Sequence, residues 1–217
     1  MKRTWFIGID ISKCFLDVVI YDQENKKVRK HFKISNEEKG FKELLKLLKE
    51  EVCLEQTFIC LEYCGIYGLG IGLFLDGKVD FNFCSPLHIK RSLGLTRGKN
   101  DKLDAYKIAR FCYLFRDDLS PSSMPTANML KLKSLMSERN RVVKSAKIEK
   151  TVLKELSVQL DSKSIKRMEK RLKWLNGDIK IIEKEILEII RIEPELEESY
   201  NLLISITGIG LLPVIVG

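Results

Sequence analysis

The hydrophobic period of this 217-residue chain changes once, and that change limits what the chain can fold into. Up to about residue 118, short runs of β-branched and aromatic residues alternate with helix-length stretches. Beyond Ser120–Pro125, a segment of three serines, two prolines and a methionine, the period is helical. Ile165, Met168, Leu172, Leu175, Ile179, Ile182, Ile186 and Ile189 alternate spacings of three and four without a break. A weaker seam through Met129, Leu132, Met136, Val143, Ala146, Leu153 and Leu160 is interrupted by Arg139 and Lys150. Together they predict an antiparallel helical hairpin or coiled coil over 126–193, turning near Asp161–Ser164, closed by Pro194 and able to pair with a second copy as a homo-oligomer.

The first 118 residues predict a mixed sheet. Thr4–Asp10, Cys14–Tyr21 and Lys27–Ile34 read as three antiparallel strands in a meander. A helix over Glu37–Glu50 presents Phe41, Leu44, Leu45 and Leu48 on one face, with Ser35 and Glu38 as a capping box. A buried strand Thr57–Glu62, a glycine-containing helix over Ile66–Leu75, a strand Val79–Cys84 and a helix from Asp101 to Phe115 complete the order. The fold class is therefore α/β, a ribonuclease-H-like mixed sheet with flanking helices, followed by the long helical hairpin.

Charge narrows the partner class. Lys and Arg total 38 against 30 Asp and Glu, and residues 119–160 are the most basic part, with 8 basic and 3 acidic side chains. Such a field favours polyanions, nucleic acid first. The uncharged run Tyr63–Leu75 between Glu62 and Asp76 falls short of the ~18 apolar residues that a span needs, and no membrane association is expected. Six cysteines without a C-x-x-C pair read as buried thiols of a cytoplasmic protein rather than a disulfide or zinc framework.

Four carboxylates carry the chemical signal. Asp10 and Glu62 each end an otherwise apolar strand, where an ionised group must reach water, a cation or a partner. If the two strands are parallel neighbours, both acids meet at the carboxyl edge of the sheet, where open α/β sheets place ligands. Asp101 and Asp104, three apart on a helix, lie on the face that continues through Ala105, Ile108 and Cys112. Four converging carboxylates repel one another unless divalent cations neutralise them, and oxygen-only donors suit two Mg²⁺ or Mn²⁺ ions and phosphodiester chemistry. Between Pro86 and Asn100 a basic loop with Lys90, Arg91, Arg97 and Lys99, interleaved with Gly94 and Gly98, offers a nucleic-acid surface. His31 and His88 read as surface or structural residues.

These pieces resemble the DEDD-type transposases of bacterial insertion elements, whose catalytic domain is similar to the RuvC Holliday-junction resolvase and which include Piv-type DNA invertases. The matching segments are Gly8-Ile9-Asp10-Ile11-Ser12-Lys13, Glu62-Tyr63-Cys64-Gly65-Ile66-Tyr67, Asn82-Phe83-Cys84-Ser85-Pro86 with Lys90 and Ser92, and Lys99-Asn100-Asp101-Lys102-Leu103-Asp104-Ala105 with Ile108-Ala109. The resemblance implies a catalytic and metal-binding tetrad of Asp10, Glu62, Asp101 and Asp104 in a domain over 1–118. It implies DNA contacts from Lys13, Lys90, Arg91, Arg97, Lys99 and Lys102. Thr207-Gly208-Ile209-Gly210 is similar to the turn that opens the family's second conserved domain, with Gly208 and Gly210 at phosphate, so 197–217 reads as the start of that domain. In the family that domain carries the nucleophilic serine, and some members use a structured guide RNA. The serine segment is expected beyond Gly217, so that this chain alone binds metal and nucleic acid without completing strand exchange. The other readings are a stand-alone structure-specific endonuclease, a non-catalytic DNA-binding or dimerising remnant, and an actin-like ATPase, which Ile11-Ser12-Lys13 fits poorly for want of a phosphate-loop glycine.

Overall fold

The computed structural model describes residues 3–93, 101–156 and 161–206, with the side chains of Leu93, Asp101 and Leu156 outside that description. The chain divides into two compact units, Met1–Met124 and Pro125–Gly217.

The first unit is a five-stranded sheet in the order β3-β2-β1-β4-β5. Strands β1 (Trp5–Ile11), β2 (Phe15–Asp22) and β3 (Lys27–Ser35) form the expected antiparallel meander. Two tight connections set its register. Ser12 closes the first, its Oγ donating to the Phe15 carbonyl at 2.8 Å and accepting from the Phe15 amide at 3.1 Å. In the second, Asp22 accepts from the Glu24 and Asn25 amides and from Asn25 Nδ2, and Lys26 takes a left-handed φ of 51°. Strand β4 (Thr57–Glu62) then runs parallel to β1, and β5 (Asp80–Cys84) parallel to β4. This is the ribonuclease-H-like mixed sheet that the order of elements predicts.

Side-chain alternation divides the core into two layers. Ile7, Ile9, Ile59 and Leu61 face α1 (Glu38–Glu51) and α2 (Leu69–Leu75), packing with Phe41, Leu44, Leu48, Ile71 and Leu75. Phe6, Phe58 and Cys60 point the other way, onto Ala105, Ile108, Ala109, Phe111 and Cys112 of α4 (Asp101–Leu114). Each fully buried Phe, Ile or Leu contributes about 1.5–3 kcal/mol relative to leaving it in water, so both layers anchor the sheet.

Three local expectations are corrected. Ser35 does not cap α1: β3 extends to include it, and Glu37 occupies the N-cap without a side-chain hydrogen bond. The described part of the basic loop is a helix, α3 (Pro86–Leu93), opened by a proline whose missing N–H costs nothing in a first turn. His88 therefore lies on a helix, its ring 5.3 Å from that of Phe111 and 5.9 Å from that of Phe115. Of the six cysteines, Cys60, Cys84 and Cys112 are buried, but Cys14 and Cys53 are exposed because both fall in connections between elements.

The second unit is led by α5 (Ala127–Leu156) and α6 (Ser162–Ile192), which pack on each other. Asp161 caps α6, accepting from the amides of Lys163 and Ser164 at 2.9 Å each. The core holds Leu132, Leu135, Ile182, Ile186, Ile189 and Ile190. Along the α6 seam Met168, Ile182, Ile186 and Ile189 are buried, while Ile165, Leu172, Leu175 and Ile179 are half-buried. Arg139, which breaks the α5 seam, is matched across the pair by Glu183 at 2.8 Å. Pro194 ends α6 and also begins α7 (Pro194–Ile204), with Glu195 and Glu197 in its first turn, where the helix dipole favours acids. Leu160 of the α5 seam, the basic-loop glycines Gly94 and Gly98, and Thr207–Gly210 lie outside the described residues.

Candidate active site

Register brings the two strand-end acids together. Ile9 pairs with Leu61 as the last matched residues of β1 and β4, so Asp10 and Glu62 are the next step on adjacent parallel strands. Both continue the even-numbered set that faces α4, and both are half-buried. Gly8 sets how closely that helix approaches. A Cβ there would lie 2.2 Å from the Ala105 carbonyl oxygen and 2.2 Å from the Ala109 nitrogen, so the α4 backbone rests directly on β1 two residues before Asp10. Asp104, next to Ala105, is thereby carried to the same edge. Asp101 is the first residue of α4, and its side chain lies outside the described residues.

Electrostatics ties these groups to one another. Burial lifts the Glu62 carboxyl above its usual range; Lys90 and Lys107 oppose the lift, and the Asp104 charge adds to it. The neighbouring Cys64 thiol is likewise raised, first by burial and then by the charges of Asp10 and Glu62. Asp104 Oδ1 accepts from Lys107 Nζ at 2.8 Å. Among the described residues, which leave out the Asp101 side chain, no three His, Cys, Asp or Glu side chains are drawn together tightly enough to hold an ion. The donor chemistry nevertheless fits a hard cation. Asp10, Glu62 and Asp104 offer only oxygen, and burial disfavours the charged form of Glu62, a cost that a nearby cation would relieve.

Basic residues border this edge. Lys90 on α3 is exposed, yet its charge is felt at Glu62. Arg91 is exposed one residue further along α3, Lys13 is exposed in the β1–β2 connection, and Lys102 is exposed in the first turn of α4. Arg97, Lys99, Gly208 and Gly210 lie outside the described residues.

A fifth acid, which sequence reasoning passes over, shares the same rung of the sheet. Asp17 on β2 is directly opposite Asp10, and Lys33 on β3 is directly opposite Asp17. Asp17 is only 6% exposed and is held by His31 Nε2 and Lys33 Nζ, each at 3.2 Å. Two facing carboxylates repel, and the two cationic or proton-donating partners offset the second one. His31, which pairs with Val19, is thus a structural partner of Asp17.

The transposase family of DEDD enzymes from IS110-type elements matches residues 7–161, a span that includes Asp10, Glu62, Asp101 and Asp104. The chain belongs to the IS110 DEDD transposase family. Within the curated proteins it is similar to the pilin gene-inverting protein of Moraxella bovis, 26% identical over 216 residues that span 97% of this chain and 63% of that protein. The pilin gene-inverting protein of Moraxella lacunata matches to the same extent. This DEDD transposase family member thus spans just under two thirds of the length of those relatives. Among solved structures it is similar to T. thermophilus RuvC, determined in complex with a Holliday junction substrate, with a TM-score of 0.43 and 11% identity over 56% of this chain and 100% of that one. No helix among the described residues is long and apolar enough to cross a membrane.

Proposed function

We propose that this chain is the catalytic and helical portion of a DNA recombinase, a transposase or site-specific invertase that cuts and transfers DNA phosphodiesters with divalent metal ions. The observation that carries the reading is the meeting of Asp10 and Glu62 on adjacent strand ends beneath α4, with the Asp104 charge felt at Glu62. In this reading residues 1–118 form the catalytic domain, 126–193 the helical hairpin through which copies associate, and 197–217 the beginning of a further domain. Asp10, Glu62, Asp101 and Asp104 would hold two Mg²⁺ or Mn²⁺ ions, which when bound polarise a scissile phosphate and a nucleophilic oxygen. The rest is the work of the chain itself. Lys90, Arg91, Lys13 and Lys102, with Arg97, Lys99 and the amides of Gly208 and Gly210, neutralise and position the DNA backbone. Lys107 holds Asp104 in place, and Gly8 fixes the height of the helix that presents it. A structured guide RNA and a cytoplasmic site of action belong to the same proposal.

The test is strand cleavage of supercoiled and branched DNA by the full 217-residue chain in Mg²⁺ or Mn²⁺. Weak metal-dependent nicking that disappears in Asp10→Asn and in Glu62→Gln, without a covalent protein–DNA adduct, is the expected result. Nicking that survives both substitutions refutes the site. A stable phosphoserine linkage would point to Ser12, Ser85 or Ser92 as a nucleophile.

A further inference from the structure

The second unit carries an aromatic that its own fold does not use. Trp174, midway along α6, is 66% exposed, and Ile181, two turns further on, is 60% exposed. Both lie on one side of the helix with Gly177 between them, where a Cβ would meet nothing within 4 Å. The indole therefore stands over a shallow open step. Arg167, Lys170 and Arg171 line the concavity on its N-terminal side. Lys170 and Lys173 share the one on its C-terminal side with Asp178. Arg171 is steadied by Glu149 of α5 at 2.9 Å, and Arg167 by Ser164 Oγ at 2.8 Å, so two of the guanidinium groups are already oriented.

Charge decides what such a surface suits. Between Lys163 and Trp174, α6 carries six basic residues and one acid, Glu169. A symmetric contact of this face with its own copy would set like charges against one another. A polyanion has the complementary sign, and a polyanion with flat apolar rings also suits the indole. Exposed aromatics set among cations bind single-stranded nucleic acid in this way, the cations tracking phosphates while the ring stacks on a base. We infer that Trp174 with Arg167, Lys170, Arg171 and Lys173 is a second nucleic-acid site, which takes an unpaired nucleotide and its flanking phosphates. It requires nothing of the acid edge, and its test is independent of cleavage.

The experiment follows tryptophan emission of the full chain while a short oligothymidylate, a short oligouridylate or a duplex is added at low salt. Trp174→Phe reports what Trp5, the only other tryptophan, contributes. The expected result is saturable quenching by one or both single strands that is absent from Trp174→Phe, with duplex giving less. Base stacking on an aromatic corresponds to a loss of about 5- to 150-fold in affinity for Trp174→Ala. Lys170→Gln with Lys173→Gln should lower the salt slope by about 1.4, at ~0.7 per single-strand phosphate contact. Because all three side chains are exposed, these variants should fold as the parent does. Which single strand binds more tightly distinguishes DNA from RNA, and either supports the site. Equal quenching by duplex and single strands, or quenching that persists in Trp174→Phe, overturns it. So does an emission blue shift that grows with protein concentration alone, since that would place a second copy on the face.

Discussion

Gly8→Ala should damage the sheet unit far more than one methyl group suggests. The added Cβ would sit 2.2 Å from two backbone atoms of α4 and 2.8 Å from the Ala109 Cα. These are main-chain atoms in a helix whose inner face, Ala105, Ile108, Ala109, Phe111 and Cys112, is at most 1% exposed, so no flexible side chain can swing aside. Relief requires α4 to lift by about 1 Å, and a gap of that size forfeits roughly a quarter to a half of each dispersion contact along the interface. Overpacking typically costs about 1–3 kcal/mol, and a backbone-on-backbone clash belongs at the upper end. With urea slopes of about 1–3 kcal/mol per molar, a loss of about 3 kcal/mol lowers the midpoint by about 1–3 M. Gly177→Ala, where the new methyl meets nothing, is the matched control and should gain up to about 1 kcal/mol from helix propensity. Equilibrium urea unfolding followed by far-ultraviolet circular dichroism reads both. A Gly8→Ala midpoint equal to that of the parent would refute the placement of α4 against β1, and with it the means by which Asp104 reaches the acid edge.

Replacing His31 and Lys33 together by Ala leaves Asp17 buried, charged and facing Asp10; this should cost about 1–3 kcal/mol at neutral pH, and adding Asp17→Asn should restore most of the loss in a thermal melt. Ile186→Ala removes a side chain with no exposed surface from the hairpin core and should cost about 2–5 kcal/mol in the unfolding of that unit, while near-ultraviolet signals from the sheet unit stay unchanged. The Asp22 carboxyl is held below its ordinary range, first by the Asn25 side chain and then by the Asn25 and Glu24 amides. Its contribution is therefore fully present above the unfolded-state value of about 3.9 and is lost as pH falls through the lower folded value. The stability difference between the parent and Asp22→Asn should accordingly shrink between neutral pH and about pH 3, and a difference that grows on acidification would contradict the hydrogen-bonded turn.

The parts of this protein legible in its sequence are those in which one local pattern dominates. Asp10 and Glu62 stand out because each interrupts an apolar strand, and Thr57–Glu62 matches β4 residue for residue. The two long helices are legible because the seam residues recur over many turns. Short elements are not. Helix α3 spans eight residues, and its opening proline and basic composition read equally well as a loop. Ser35 fits a capping box on spacing alone, but β2 and β3 pair as far as Phe15 with Ser35, and that pairing keeps it in the strand. Pro194 reads only as a stop, although a first-turn proline also starts a helix. Asp17 is the instructive omission. Within Leu16-Asp17-Val18-Val19 it looks like the solvent-facing member of an alternating strand, and only the register of β1, β2 and β3 reveals that it faces Asp10 with His31 and Lys33 as its partners. Trp174 is illegible for the opposite reason: it lies beside the seam, and only the packing of α5 against α6 leaves it exposed.

The role proposed for the acid edge stands or falls on divalent metal binding. Mn²⁺ titration of the full chain, read by electron paramagnetic resonance, counts bound ions without requiring DNA or turnover. Up to two ions per chain should bind and be displaced by Mg²⁺, with binding abolished in Asp10→Asn combined with Glu62→Gln while the circular dichroism spectrum is preserved. Because burial and Asp104 lift the Glu62 carboxyl, Mn²⁺ affinity should also fall on mild acidification before ordinary surface carboxylates titrate. Mn²⁺ bound equally well by the parent and by the double variant would rule out Asp10 and Glu62 as the metal site.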